Sequence, residues 1–228
     1  MPRVARTVVP GVPHHVTQRG NNRQDVFFVD DDRRAYLAML KQCSQAYGLK
    51  IIGYCLMTNH VHLIALPDAE DSLAKAVGRT HYFYTQYVNR LHGRSGHLWQ
   101  NRFHSCPMDE VHLWRALSYV ERNPVRAKMV RVPWRYRWSS AAGHCGGKDT
   151  SDLLNLSAWA KHWRVDRWKQ ELHCPEDAAF VGQMRRCLHT GRPLASDRFI
   201  SKLEALVGKR LRPLPVGRPR KKGQKTGA

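Results

Sequence analysis

LKIIGYCLMTNHVHLIAL, residues 49–66, holds two β-rich apolar runs separated only by Thr58 and Asn59. Two such runs with a two-residue connection predict an antiparallel hairpin, Leu49 to Met57 and His60 to Leu66. Because a strand turns alternate side chains to opposite faces, His60 and His62 share one face while Val61 points into the core. Two imidazoles so placed can hold one divalent metal ion. Thirteen histidines in 228 residues give about 0.7 His-x-His tripeptides by chance, so the pair gains its weight from what surrounds it.

Working outward, Pro13 to Arg19 alternates as a strand and Gly20-Asn21-Asn22 makes a turn. Asp30 to Tyr47 carries helical periodicity that Gly48 ends. Beyond the hairpin, Asp71 to Arg90 reads as a second amphipathic helix capped by Asp71 or Ser72. Gly93 to Gly96 is a turn and His97 to Pro107 a fourth strand. A third helix starts at Asp109 and Glu110 and runs to about Arg122, stopped by Pro124. The order strand, helix, strand, strand, helix, strand, helix predicts an α+β, ferredoxin-like antiparallel sheet with two helices on one face and one extra helix. On that extra helix Tyr119 and Asn123 are four residues apart and fall on one side. The phenol could then sit beside the metal while Asn123 completes its coordination, an arrangement suited to covalent phosphoryl transfer on nucleic acid. Tyr82, Tyr84 and Tyr87 are rival nucleophiles, and Tyr119, preceded by Leu113, Ala116 and Leu117, would also serve as a packing aromatic.

Thirty-eight Lys and Arg against 18 Asp and Glu leave a formal charge of +20, with a pI near 10.3. Such an excess calls for a polyanionic partner, because each phosphate neutralised releases condensed counterions. A membrane is not expected as partner: the longest apolar stretch, Ile51 to Met57, is too short to span one. The prolines at 2, 10 and 13 interrupt an N-terminus that lacks an apolar signal core. A cytoplasmic, nucleoid-associated protein is therefore expected. The six cysteines include no Cys-x-x-Cys pair, as expected of reduced core thiols, and His144-Cys145 with His173-Cys174 matches no standard zinc spacing. The chain divides into residues 1–145, a helical region 146–208 with a possible DNA-binding role, in which Pro175 to His189 reads as a helix beginning with Glu176 and Asp177, and a basic tail 209–228. The tail lacks acidic residues and is expected to be disordered alone. Within it VGRPRKK, residues 216–222, resembles an AT-hook centred on Arg218.

Several blocks carry a resemblance: PHHVTQRGNNR at 13–23, YCLMTNHVHLI at 54–64, HLWQNRF at 97–103, YVERNPVR at 119–126 and WSS at 138–140. In this order they resemble the REP-associated tyrosine transposases, relatives of the single-tyrosine insertion-sequence transposases within the HUH nuclease superfamily, from about Pro2 to His144. The resemblance implies that His60 and His62 bind Mg²⁺ or Mn²⁺, with Asn123 as a third ligand. It further implies that Tyr119 attacks a phosphodiester of single-stranded DNA. The attack would release a 3′ hydroxyl and leave a 5′-phosphotyrosyl bond that a second 3′ hydroxyl can reverse. The implied substrate is a hairpin from repetitive extragenic palindromes with a short single-stranded foot. A phenol is a weak nucleophile at neutral pH, so Tyr119 must be activated by the metal or by surrounding cations such as Arg122 and Arg126. DNA contacts are expected from Arg19, Asn21, Asn22 and Arg23 on the first turn, and from Gln100 and Arg102 on the fourth strand. Trp99 and Phe103 are possible stacking platforms there. Either a monomer or a homodimer fits. Two other functions remain open, a catalytically silent hairpin-binding regulator and a rolling-circle initiator-type HUH enzyme; histidines that precede the tyrosine disfavour a relaxase.

Overall fold

The computed structural model describes residues 6–213. Four strands form one antiparallel sheet: β1 (His14–Arg19), β2 (Leu49–Met57), β3 (His60–Pro67) and β4 (His104–Pro107), in the order β2-β3-β1-β4. This is the ferredoxin-like order, and it buries β3 between two neighbours. Helices α1 (Asp30–Ala46) and α2 (Ser72–Leu91) follow β1 and β3 and pack on each other and on the sheet. Helix α3 (Glu110–Glu121) packs against β1, β2 and β3 and precedes the short α4 (Asn123–Arg126). After α5 (Ala141–His144) come α6 (Leu156–Ala160), α7 (Val165–His173), α8 (Ala178–Thr190) and α9 (Asp197–Val207). The helices lie on both sheet faces, which explains why β2 and β3 read as continuous apolar runs rather than alternating ones.

The region beyond residue 145 shares the central core: Trp159, Trp168, Leu172, Phe180, Met184 and Leu188 are buried with the sheet residues in one cluster. Glu121, at the end of α3, is wholly buried. Its carboxylate lies 2.5 Å from Ser140 Oγ and 2.6 Å from His144 Nδ1, and it accepts from Trp168 Nε1 at 2.8 Å. Two segments distant in sequence, at α5 and α7, are thus tied to the helix that carries Tyr119.

Three expectations need correction. The fourth strand covers only His104–Pro107, not His97 to Pro107. Residues 97–103 instead fold as a loop: Asn101 takes φ 57°, and Gln18 and Gln24 side chains donate to Leu98, Gln100 and Asn101 carbonyls. Proline 124 stops the third helix as expected, α3 ending at Glu121 with Arg122 as its C-cap. Lacking an N–H, it interrupts the ladder at Arg122 and sits in the first turn of α4, where its fixed φ is tolerated. Neither Asp71 nor Ser72 caps α2 through its side chain; Ser72 Oγ accepts from Ala69 N at 3.0 Å, before the helix. The helix expected from Pro175 to His189 begins at Ala178, with Asp177 as its cap, leaving Glu176 outside it. The tail motif around Arg218 lies outside the described residues.

Gly53 shows why α3 can approach β2 so closely. A Cβ there would lie 2.2 Å from Leu117 Cδ1 and 3.0 Å from Ser140 Oγ, both buried. Gly53→Ala is therefore expected to cost about 1–3 kcal/mol by overpacking, read as a lower urea midpoint. An unchanged midpoint would mean that Leu117 can move aside freely.

Two buried histidines away from the candidate site give the protein a pH-dependent stability. His14 is pulled to about 4, chiefly by burial, and His81 to about 3 by burial and then by the Arg6 charge. Both are neutral when folded but titrate near 6.5 when unfolded, so the unfolded chain binds more protons as pH falls. Their contribution is complete above about pH 6.5 and is lost progressively down to about 4 and 3, on the order of 3 kcal/mol or more in total. Denaturant midpoints measured across this range should fall steadily; a flat profile from neutral pH to about pH 4 would contradict the assignment.

Candidate active site

The sheet register brings the sequence candidates together. His62 on β3 pairs with Cys55 of β2 on one side and with Thr17 of β1 on the other, and Arg19 pairs with His60. Directly paired residues point to the same face, so His60, His62, Thr17 and His15 share the face on which α3 packs. The His60 and His62 rings meet edge to face at 5.0 Å between centroids, and Tyr119 lies 6.2 Å from His62. Tyr119 is only 8% exposed, with its ring covered by the Arg126 guanidinium at 4.1 Å. Arg126 lies seven residues, about two helical turns, beyond Tyr119 despite the break at Arg122.

His15 was missed by the sequence reading. Its Nε2 is 2.9 Å from His62 Nδ1, and the two rings stack at 5.0 Å and 22°. His15 is wholly buried and its Nδ1 finds no partner among the described residues. The available signal was the alternation of His15 with Thr17 on β1; what sequence could not supply was the long-range pairing that sets β1 beside β3.

The donor set fits a divalent metal. His60 Nδ1 contacts Asn59 Oδ1 at 2.7 Å and His62 Nδ1 contacts His15, so each Nδ1 is engaged and the Nε2 atoms are left as ligands. Partners on the outer nitrogen are what orient metal-binding imidazoles. Burial, with the charges of Arg19 and Arg126, lowers His60 to about 4; burial and neighbouring His60 and His15 hold His62 well below its usual value. Both rings are therefore neutral, as ligands must be. Among the described residues no cluster contains three or more His, Cys, Asp or Glu that could hold a metal. Buried Asn123 offers an amide: its Oδ1 accepts from Arg126 at 2.6 Å, and its Nδ2 has no partner among the described residues. Of the histidines next to cysteines, His144 is bound to Glu121 and His173 rests on Trp134.

The other candidates fall around this centre. The Asn21–Arg23 turn joins the same sheet end: Arg23 O accepts from Asn59 Nδ2, and Asn21 N donates to Leu98 O. Asn22, Arg23 and Gln100 are exposed, and Gln100 N donates to Arg19 O. Arg102 lies elsewhere, in a basic cleft beside β4. Arg122 turns away from the histidines, its guanidinium donating to Cys174 O with Glu176 nearby at 3.9 Å. Glu176 also pairs with Arg126. Glu176 and Tyr119 line the same small cleft of about 140 Å³. Trp99 and Phe103 are buried rather than presented as platforms, Phe103 beneath the Arg6 guanidinium at 3.6 Å. Of the rival tyrosines, Tyr84 is wholly buried, with its hydroxyl on Val26 O, and Tyr82 is exposed on α2.

A family model described as transposase, IS200-like, matches residues 9–123, half of the chain. A solved REP-associated tyrosine transposase bound to a REP hairpin has the same fold, with a TM-score of 0.52 at 18% identity over 61% of this chain and 82% of that one. A chain described as a candidate transposase from Deinococcus radiodurans R1 is 20% identical over 53% of this chain and 97% of its own, with a TM-score of 0.37, too low to carry an argument. No curated protein matches in sequence. Among the described residues no helix is long and apolar enough to cross a membrane.

Proposed function

Because this chain belongs to the IS200-like transposases, we propose that it is a metal-dependent single-strand DNA endonuclease and transesterase that cuts and rejoins DNA beside palindromic hairpins, with Tyr119 as nucleophile. The observation that carries the reading is the convergence of Tyr119, His60 and His62, from elements far apart in sequence, on one sheet face under a cationic Arg126. His60 and His62, with the Asn123 amide, would hold Mg²⁺ or Mn²⁺; such an ion supplies charge stabilisation at the scissile phosphate.

The chain's own groups do the rest. Arg126, stacked on the Tyr119 ring, favours negative charge developing on the phenol and on the phosphate beside it. Tyr119 oxygen forms a bond to phosphorus as the bond to the 3′ oxygen breaks, leaving a free 3′ hydroxyl and a 5′-phosphotyrosyl ester. Reversal by a second 3′ hydroxyl rejoins strands with no outside energy source, because one phosphoester replaces another. Burial of the site restricts water as a competing nucleophile. Arg19, Asn21, Asn22, Arg23 and Gln100 would meet DNA at this sheet end, with residues 1–145 as the catalytic part, 146–208 as its helical support and Arg218 in the basic tail that follows.

Labelled single-stranded hairpin DNA from palindromes flanking the gene, incubated with the full chain and Mg²⁺ or Mn²⁺, should yield a covalent adduct on denaturing gels. Peptide mapping should place it on Tyr119, and a chelator should prevent it. Tight hairpin binding without cleavage or adduct would instead favour a silent regulator, and an adduct on another tyrosine would sink the nucleophile assignment.

A further inference from the structure

A second basic surface lies outside the catalytic constellation. Between the loop before β4, the segment at Arg6 and Thr7, and the chain around α8 and α9 runs a cleft of about 640 Å³. Its walls carry Arg6, Arg102, Arg192, Lys209, Arg210 and Arg212. No Asp or Glu lines it among the described residues. The stretches outside those residues, 1–5 and 214–228, contain no Asp or Glu either, so no acidic side chain of theirs can fill it. Arg212 is held by Glu204 and Asp197. Arg6 spends its guanidinium on Phe103 O at 3.0 Å, and burial with the Arg102 charge lowers it to about 10. Like charges crowded around one opening repel unless an anion completes them.

The cleft also has a defined place relative to the histidines. Thr17 pairs with His62 on one side and with His104 on the other. Histidine 104, which lines the cleft, therefore sits on the same sheet face as His62, two strand spacings or roughly 10 Å away. That is about three nucleotides of rise along one strand. The cleft's one Phe, Tyr or Trp ring, Phe103, is buried beneath Arg6, and the exposed rings that line it are only the small imidazoles of His104 and His189, so no large aromatic platform is offered on which successive unpaired bases could stack.

We propose that this cleft, built largely by the C-terminal segment that the family match does not reach, binds the phosphodiester backbone of base-paired DNA: the hairpin stem next to the strand being cut. The assignment rests on the function proposed above. Its chemistry is phosphate recognition by guanidinium and ammonium groups without base readout.

The test compares the full chain with Arg192→Ala/Lys209→Ala, and with Arg185→Ala/Arg186→Ala, which removes the same charge from exposed positions on α8 outside the cleft. Binding to a hairpin with a single-stranded foot, and to an unstructured strand of equal length, is followed by anisotropy against salt. Each phosphate contact contributes about 0.9 to the slope of log affinity against log salt. The cleft variant should lose nearly two units of slope on the hairpin and none on the unstructured strand, while the control keeps both slopes. Between about 50 and about 200 mM salt, the wild type should then lose about twelve-fold more hairpin affinity than the cleft variant. Unchanged slopes, equal losses on both DNAs, or equal losses in the control variant would overturn the cleft assignment. Failure of the wild type to bind any hairpin would instead sink the functional reading on which it rests.

Discussion

Replacement of Tyr119 by phenylalanine is expected to abolish covalent adduct and strand cleavage, by at least about 10⁴-fold, while hairpin affinity stays within about two-fold. The ring contacts survive the change: the edge contact with His62 and the Arg126 stack involve the phenyl face, so site and fold are retained. Only the attacking oxygen is removed. Water could substitute only by reaching a buried position, and it would leave no protein–DNA bond. Single-turnover cleavage of end-labelled DNA checks this, with a melting curve of the same sample. Residual adduct on the variant would show that another tyrosine attacks, and exposed Tyr82 would be examined next.

Glu121→Ala is expected to be the most damaging change to stability, at about 4 kcal/mol or more. It removes a wholly buried carboxylate on which Ser140, His144 and Trp168 converge. Each buried polar group left without a partner costs about 1–3 kcal/mol, and a cavity adds to that. For a chain of this size the melting temperature should drop by roughly 10 °C. Because Trp168 comes from α7, limited proteolysis should also begin cutting beyond residue 145 before the sheet opens. Glu121→Gln keeps shape and an acceptor, and it should recover part of the loss. If both variants melt like the wild type, the network adds nothing to stability.

The sheet was legible because the decisive information is local. The hairpin at 49–66, the periodicity of 30–47 and the turn residues between them fix element order, and order fixes the ferredoxin-like plan. That His60 and His62 share a strand face and that Tyr119 lies on a helix was legible for the same reason, whereas their reading as one site came from the flanking blocks that resemble a known family. What escaped depends on partners distant in sequence. His15 acquires its contact with His62 only once β1 lies beside β3, and Glu176 reaches Arg126 only when the C-terminal helices fold back. Residues 97–103 misled because Leu98, Trp99 and Phe103 are buried like strand residues, yet their pairing stops at one isolated bridge between Trp99 and Gly20, and side-chain donors from Gln18 and Gln24 satisfy carbonyls that a longer ladder would hold.

The row in which Thr17 stands between His62 and His104 has a metric consequence. Backbone ladders lock these three positions, and β1 cannot slide by one residue without turning Val16 outward and its polar neighbours inward. On a DNA that lies across both the histidine pair and the cleft beside β4, the interval from stem to cut is then set by the sheet acting as a ruler. Lengthening the foot by one nucleotide should move the cut along the sequence while its distance from the stem stays constant.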